Sequence, residues 1–218
     1  MYNSDGSQAE MCGNATRCVG KYVYDRGLTD KTQITLETLA GIKILDLNVK
    51  DGEVQTVCVN MGSPELVPKN IPIDSNLDRF ISEDVEVDGK VYKVTGVSMG
   101  NPHAVTFIDD TDSLEIEKIG PKFETHKLFP KKINTEFAQI VDRNTIKMRV
   151  WERGAGETLA CGTGACATMV AANLNGLVDD EADLVLLGGT LHIKWDKNEN
   201  KVYMTGPAKF VFDGTITI

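Results

Sequence analysis

The sequence lacks any long apolar run. No stretch of its 218 residues approaches the ~18 consecutive apolar residues that a membrane-spanning helix needs. The chain also lacks a basic segment followed by an apolar core, so we find no secretory signal peptide. Together these absences predict a cytoplasmic protein that has no membrane partner.

Clustered positive charge is lacking too. The chain has 23 Lys and Arg against 32 Asp and Glu, for a formal net charge of −9, and its cations are scattered. Nucleic-acid binding requires grouped cations that neutralise phosphates. The charge pattern therefore predicts no nucleic-acid partner, and acidity of this size is typical of a well-solvated surface.

The cysteines do not form an even set. There are five: Cys12, Cys18, Cys58, Cys161 and Cys166. An odd number in a mid-sized chain without a secretion signal argues against a disulfide framework, so we expect free thiols. Cys18 and Cys166 lie one to two turns inside predicted helices, and we expect both to be core residues. Cys12 and Cys161 need a separate explanation.

Strand patterns are abundant. Asp51-Gly52, Asp88-Gly89 and Asp213-Gly214 are hairpin-turn signals that follow or separate such runs. The predicted strands cover residues 33–38, 43–49, 54–60, 91–97, 103–108, 135–141, 145–151, 183–187, 190–195, 201–205 and 209–212, with a short terminal run at 215–218.

Helical patterns are few. The three candidates cover residues 13–26, 116–129 and 163–174. In the first, Val19, Tyr22 and Val23 share a face that we expect to be buried, and Gly27 is expected to end the helix. Runs of strands around a few helices predict an α+β fold.

One segment of the chain echoes another. Cys12 opens the sequence CGNATRC, and Cys161 opens the sequence CGTGAC. Each begins a predicted helix and follows a polar loop that contains glycine. The echo suggests two pseudo-symmetric halves, each with a cysteine at the start of a helix.

A cysteine at a helix start is suited to proton transfer. The first N–H groups of the helix have no intrahelical partner, and the helix dipole adds positive potential there. Both effects favour the thiolate, so we expect the pKa of Cys12 and Cys161 to fall below the free value of ~8.5. Two such cysteines on opposite faces of one carbon would invert its configuration, while the N–H groups hold a carboxylate.

Two other uses of the cysteines compete with this one. Four thiols could bind zinc, but Cys-x5-Cys and Cys-x4-Cys inside helices match the usual Cys-x2–4-Cys knuckles poorly. A dithiol redox module is a second alternative, although neither pair is Cys-x-x-Cys. We therefore predict no metal and no other cofactor.

Around these residues the sequence resembles the diaminopimelate epimerases. The resemblance rests on NSDGSQAEMCGN at 3–14, GNPH at 100–103, NTEF at 134–137 and WERGAGETLACGTG at 151–164, and it extends over essentially all 218 residues. It implies interconversion of LL- and meso-diaminopimelate for lysine and peptidoglycan synthesis. No metal or pyridoxal phosphate is implied, and a homodimer is plausible.

The resemblance also implies an architecture. The family fold is two similar mixed α/β halves with the active site in the cleft between them. By position, residues 1–56 and 206–218 would form the first half, and residues 57–205 would form the second.

The family's functional residues can be carried over by position. Cys12 and Cys161 correspond to the catalytic acid/base pair, and His103 and Glu152 to the residues that tune the protonation of the cysteines. The implied substrate-binding set is Asn3, Gly13, Asn14, Asn101, Asn134, Glu152, Arg153, Gly162 and Thr163. A planar guanidinium suits a carboxylate, and Glu152 suits an ammonium group.

The chain departs from the family at its beginning. Relatives carry an upstream segment of roughly sixty residues that adds substrate contacts, and chains rarely start at the edge of a site. We therefore expect that a segment is missing. The alternative to a working epimerase is a catalytically impaired, truncated fragment that needs a complementing segment. Ala15 stands where glycine is common, and we expect little effect from it.

Overall fold

The computed structural model describes residues 11–39 and 41–216, so the predicted binding residue Asn3 lies outside the described residues. The described helices are α1 (Gly13–Asp25), α2 (Ile116–Glu124) and α3 (Gly162–Leu174). The strands are β1 (Gln33–Thr38), β2 (Gly41–Lys50), β3 (Glu53–Gly62), β4 (Glu83–Val87), β5 (Lys90–Ser98), β6 (Pro102–Phe107), β7 (Asn134–Asp142), β8 (Thr145–Glu152), β9 (Gly156–Thr158), β10 (Glu181–Leu186), β11 (Gly189–Asp196) and β12 (Lys201–Pro207).

The chain divides into two compact units. The first combines the chain up to Val59 with the chain from Thr205 onward, and the second spans Asn60–Met204. In the part of the chain that the structure describes, no helix is both long and apolar enough to cross a membrane.

The first unit contains an antiparallel β1–β2–β3 sheet. Asp51 and Gly52 join β2 to β3 with φ angles of 53° and 81°, the left-handed pair that a tight hairpin turn requires. The sequence signal at this position is therefore confirmed.

Helix α1 buries a different face from the one that the apolar pattern predicts. Its buried residues are Gly13, Thr16, Arg17, Gly20 and Lys21. Val19 and Tyr22 are exposed instead, and so is Cys18, so the prediction of a core role for Cys18 was wrong.

Close packing and buried polar pairing explain the reversal. A Cβ on Gly20 would lie 3.0 Å from Leu47 and 3.1 Å from Leu45, so the helix packs closely on β2. Lys21 Nζ donates to the Val54 carbonyl at 2.8 Å and pairs with Asp25 at 2.6 Å. These partners allow a lysine to occupy the face that apolar residues usually hold.

The tail of the first unit also differs from prediction. Residues 209–212 form no strand, and Asp213-Gly214 forms no hairpin. Instead the guanidinium of Arg26 lies 4.8 Å from the Phe210 ring centroid and pairs with Asp213. Contacts to α1 therefore replace the strand pairing that the local pattern favours.

The second unit is built on a mixed sheet with the strand order β12-β11-β10-β8-β7-β6-β5-β4 and with β9 beside β8. The pairs β6–β7 and β8–β10 are parallel, and β4–β5, β5–β6, β7–β8 and β10–β11 are antiparallel. Each parallel pair needs a crossover. Helix α2 connects β6 to β7, and α3 connects β8 to β10.

The two crossover helices cover opposite faces of this sheet. Phe137 on β7 joins the core cluster that contains Ile116 and Phe123 of α2. The adjacent Glu136 points the other way, because side chains alternate along a strand, and it meets Gly164 of α3. The face under α3 therefore carries the polar side chains of the site, and the face under α2 carries the apolar cluster around Phe137.

Most predicted elements are confirmed, and the fold is a mixed α/β fold as predicted. Strand β1 has the predicted bounds, and α1 and α3 agree with prediction to within one residue. Helix α2 is shorter than predicted, because the chain leaves the helix at Thr125. The short strands β4 and β9 were missed, and Cys166 is fully buried as predicted.

Candidate active site

Both candidate cysteines are the N-cap residues of their helices. Cys12 precedes α1 with φ −135° and ψ 115°, and Cys161 precedes α3 with φ −120° and ψ 109°. The predicted helix starts are therefore confirmed, and the echo in the sequence corresponds to the same local backbone conformation.

In the first unit the residues after Cys12 are held by an arginine. Arg17 is buried and donates to the Gly13 carbonyl at 3.4 Å and to Asn14 Oδ1 at 3.1 Å. The Thr16 hydroxyl donates back to the Cys12 carbonyl at 2.9 Å. The first turn of α1 is thus fixed by side chains of the helix itself.

In the second unit Cys161 is almost fully buried. Its Sγ accepts the Gly164 N–H at 3.3 Å and lies 3.5 Å from the Thr163 hydroxyl. Burial raises the pKa of the Cys161 thiol above its ordinary value, and the carboxylates of Glu152 and Glu136 raise it further. The expectation of a lowered pKa was therefore wrong for Cys161, because burial and two acidic neighbours outweigh the helix start.

The start of α3 can still hold a carboxylate. The Gly162 and Thr163 amides belong to the first turn, where N–H groups have no intrahelical acceptor. Such groups and the positive end of the helix dipole favour an anion.

Glu152 lies at the end of β8 and is fixed from β9. The two strands pair Glu152 with Gly156, and the Thr158 hydroxyl donates to Glu152 Oε1. Glu152 is partly exposed, so one carboxyl group faces both Cys161 and solvent.

Neighbouring strands bring together His103, Asn134 and Asn101. His103 on β6 is in register with Asn134 on β7. The His103 Nε2 atom lies 3.0 Å from Asn101 Oδ1, and Asn134 Nδ2 donates to the Pro102 carbonyl at 2.7 Å. His103 and Asn134 are buried, so these three predicted residues form one hydrogen-bonded polar cluster.

The loop that carries Arg153 is anchored at two points. Asn134 Oδ1 accepts the Arg153 N–H at 2.9 Å, and Glu124 of α2 accepts the Gly154 N–H at 3.2 Å. Glu124 also accepts from Trp151 Nε1 at 2.8 Å. The exposed Arg153 side chain therefore projects from an ordered backbone.

Sequence reasoning missed Glu136 and Glu124. Glu136 is fully buried, with Oε1 2.7 Å from His103 Nδ1. The available signal for Glu136 was an acidic residue inside the otherwise uncharged run NTEFA on β7. Charged residues are almost never fully buried unless they are paired. Glu124 gave no comparable signal in its helix.

Side chains that could bind a metal ion are not clustered in the described part of the chain. Across residues 11–39 and 41–216, no three or more His, Cys, Asp and Glu side chains are grouped to hold a metal ion. All five cysteines are in this part of the chain, and none of them forms a disulfide.

The chain is similar to proteins of known family. The family model described as diaminopimelate epimerase matches residues 1–67 and 95–211. The diaminopimelate epimerase of Acetivibrio thermocellus is 62% identical over 218 residues, which cover 100% of this chain and 78% of the relative. The diaminopimelate epimerase of Methanococcus maripaludis strain S2 is 56% identical, with 100% and 79% covered.

Solved structures share the fold at low sequence identity. A Bacillus anthracis phenazine biosynthesis protein of the PhzF family matches with a TM-score of 0.70 at 16% identity, over 99% of this chain and 79% of that one. A hydroxyproline epimerase from Agrobacterium vitis, solved with bound trans-4-hydroxy-L-proline, matches with a TM-score of 0.68 at 14% identity, over 94% and 65%.

Proposed function

Because the chain belongs to the diaminopimelate epimerase family, we propose that it interconverts LL- and meso-diaminopimelate with Cys12 and Cys161 as the acid/base pair. The observation that carries the proposal is the shared geometry of the two cysteines. Each caps a helix with an extended backbone and is followed by the small residue Gly13 or Gly162. Similarity of the whole of this chain to relatives of this name supports the same function.

The proposed reaction is a two-sided proton transfer. One cysteine thiolate removes the α-proton and becomes a thiol, while the thiol of the other cysteine protonates the opposite face and becomes a thiolate. Helix-start N–H groups, at Gly13-Asn14 and at Gly162-Thr163, stabilise the charge that develops on the substrate carboxylate. This arrangement needs no prosthetic electron sink.

The surroundings of Cys161 favour one starting state. Since burial raises the pKa of Cys161 and two carboxylates raise it further, this residue rests as a thiol. Cys161 is then the first proton donor, and Cys12 is the base for the substrate isomer bound in that state. The opposite isomer requires the opposite protonation, which must follow from turnover or proton exchange with water.

The polar residues predicted from the sequence supply the proposed substrate contacts. Arg153 binds a carboxylate at the distal amino-acid end, where its planar guanidinium forms two parallel hydrogen bonds. Glu152 binds an ammonium group, and Asn3, Asn101 and Asn134 complete the set. Together with His103, Glu152 also tunes the protonation of the cysteines, and its charge already acts on Cys161.

Solvent hydrogen exchange tests the proposal directly. The chain is incubated with LL-diaminopimelate in D2O, and mass spectrometry follows deuterium at the α-carbon together with formation of the meso isomer. We expect Cys12→Ser and Cys161→Ser each to reduce isomer formation by at least about 10²-fold, the usual contribution of a general acid or base.

Cys18→Ser is the matched control, because Cys18 lies on α1, the helix that Cys12 caps, and its side chain is exposed. It should leave the rate unchanged. Isomer formation that survives Cys161→Ser would contradict the two-cysteine mechanism. A folded chain that shows no exchange would contradict the proposal and favour the alternative of a fragment that needs a complementing segment.

A further inference from the structure

Glu136 is the most unusual ionisable group in the second unit. It lies inside β7, opposite Val105 of β6 and Val150 of β8, and is fully buried. Its Oε2 atom has no hydrogen-bond partner among the residues that the structure describes. A buried carboxyl group with an unpaired oxygen costs stability, so its presence inside a sheet calls for a chemical explanation.

The other carboxyl oxygen determines which proton His103 holds. Glu136 Oε1 lies 2.7 Å from His103 Nδ1, and His103 is itself fully buried. Nε2 faces the Asn101 amide, which accepts or donates according to its orientation. In both amide orientations a Glu136 carboxylate accepts the Nδ1–H, so Glu136 fixes the ring and its proton.

The same carboxyl group lies next to Cys161. A Cβ placed on Gly164 would be 2.5 Å from Glu136 Oε1 and 3.2 Å from Cys161 Sγ, so both atoms face this one point at the start of α3. The missing side chain at Gly164 leaves space for the carboxyl group beside the sulfur. The other ionisable groups that act on Glu136 or Cys161 are His103 on β6 and Glu152 at the end of β8.

We propose that Glu136 is a positioning residue that holds the His103 Nδ1 proton and sets the protonation of Cys161 across the first turn of α3. Glu136 does not contact substrate. It acts through His103 on one side and through its charge beside the Cys161 sulfur on the other. For catalysis this inference rests on the proposed epimerase function, but the contacts themselves do not depend on turnover.

Burial strengthens the effect of the Glu136–His103 pair on the Cys161 thiol. Burial raises the pKa of the Glu136 carboxyl, and the nearby His103 only partly offsets that effect. A proton in the Glu136–His103 hydrogen bond is therefore held in a low-dielectric region, where one charge strongly affects a neighbouring thiol. The protonation of Cys161 is consequently coupled to the charge of Glu136.

Glu136→Gln tests the inference, because glutamine keeps the shape and an acceptor oxygen while removing the charge. Peptide-resolved alkylation with iodoacetamide, measured from pH 6 to 10 without substrate, reports the thiolate fraction of Cys161. We expect the rate of Cys161 alkylation at each pH to rise by about tenfold or more, because the loss of a neighbouring charge usually lowers a thiol pKa by about one unit or more. The exposed Cys18 should be unchanged in the same samples.

Ring ¹⁵N NMR supplies the second measurement. The chain has 3 histidines, so His126 and His192 act as internal controls. We expect a protonated His103 Nδ1 at neutral pH in the unmodified chain, and a change in the His103 signals alone in Glu136→Gln. The matched control is Glu65→Gln, which removes a glutamate bound by the Leu66 and Val67 amides instead.

The possible outcomes separate this inference from the proposed function. A His103 tautomer with a bare Nδ1 in the unmodified chain would overturn the inference, and that measurement requires no variant. A folded Glu136→Gln protein with unchanged Cys161 and His103 would do the same. If Cys161→Ser abolishes isomer formation while Glu136→Gln changes neither readout, the epimerase proposal stands and the role of Glu136 does not.

Discussion

At the scale of single residues, Gly164 shows that neighbouring side chains can decide which residue fits at the start of a helix. Glycine inside a helix normally costs about 1 kcal/mol relative to alanine, so intrinsic propensity favours alanine at this position. The space beside Gly164 is filled by Glu136 Oε1 and by Cys161 Sγ. Here steric exclusion outweighs helix propensity.

We therefore expect Gly164→Ala to destabilise the protein by about 1–3 kcal/mol, the usual cost of overpacking a buried site. Urea unfolding followed by circular dichroism measures the change. Gly20→Ala is the control, because its new Cβ would meet apolar side-chain ends and no carboxyl group: Leu47 at 3.0 Å, Leu45 at 3.1 Å and Val57 at 3.4 Å. Equal losses in the two variants would show that the carboxyl group at Gly164 yields as easily as a leucine.

The sequence predicts the cysteines better than their surroundings. A Cys-Gly pair at the beginning of a predicted helix is a local pattern, and both helix starts are where it places them. The pKa of Cys161 depends instead on its burial and on the charges of Glu152 and Glu136, which reach it from other elements. No local pattern shows that an acidic residue inside a strand will face a sulfur.

At the scale of elements, helix α2 stabilises the loop that carries Arg153. Glu124 accepts hydrogen bonds from Trp151 at 2.8 Å and Gly154 at 3.2 Å, and it pairs with Lys132 at 3.0 Å. Burial alone would raise the pKa of Glu124, but these three donors lower it below its ordinary value. The ionised form of Glu124 is therefore favoured by folding.

We expect Glu124→Gln to lower the free energy of unfolding by about 1.5–3 kcal/mol at pH 7, because an amide group cannot accept from all three donors. A lowered folded-state pKa stabilises the protein above the unfolded value of ~4.3, and this contribution is lost as the pH falls through the folded value. The difference between the two proteins should therefore shrink in acid.

Urea unfolding at pH 7 and at acidic pH tests this dependence. Glu117→Gln is the control, because Glu117 lies on the same helix but is exposed. It should change stability by less than about 0.5 kcal/mol at either pH. A loss in Glu124→Gln that stays constant with pH would point to packing rather than charge as the cause.

Turn chemistry explains which elements the sequence predicts. Asp88-Gly89 joins β4 to β5 with φ angles of 55° and 75°. The turn signal therefore predicted the hairpin correctly, although strand β4 itself was not predicted. Strand β4 is short and carries charges on its exposed face, which weakens its apolar pattern. The tail at 209–212 shows the opposite case, since tertiary contacts to α1 override a good local strand pattern.

At the scale of the whole molecule, the two units differ in how much apolar surface they bury. In the described part of the first unit, the buried apolar side chains are Leu45, Leu47, Val54, Val57 and Val59. Strand β1 alternates between exposed and half-buried residues and contains no buried one. Strands β6 and β7 of the second unit each contain five consecutive buried residues.

Hydrogen exchange should expose this difference. Local opening requires less free energy where few apolar contacts are lost. Amides of β1, and of the part of β2 that pairs with β1, should therefore exchange at least about tenfold faster than amides of β6 and β7. Exchange followed by mass spectrometry at peptide resolution, normalised to the unfolded chain, measures the protection. Equal protection in the two sheets would mean that the units open together, because protection would then follow the global free energy rather than local burial. In that case the sparse core beside β1 could not be treated as a separate cooperative unit, and its stability would depend on interactions beyond its own buried side chains.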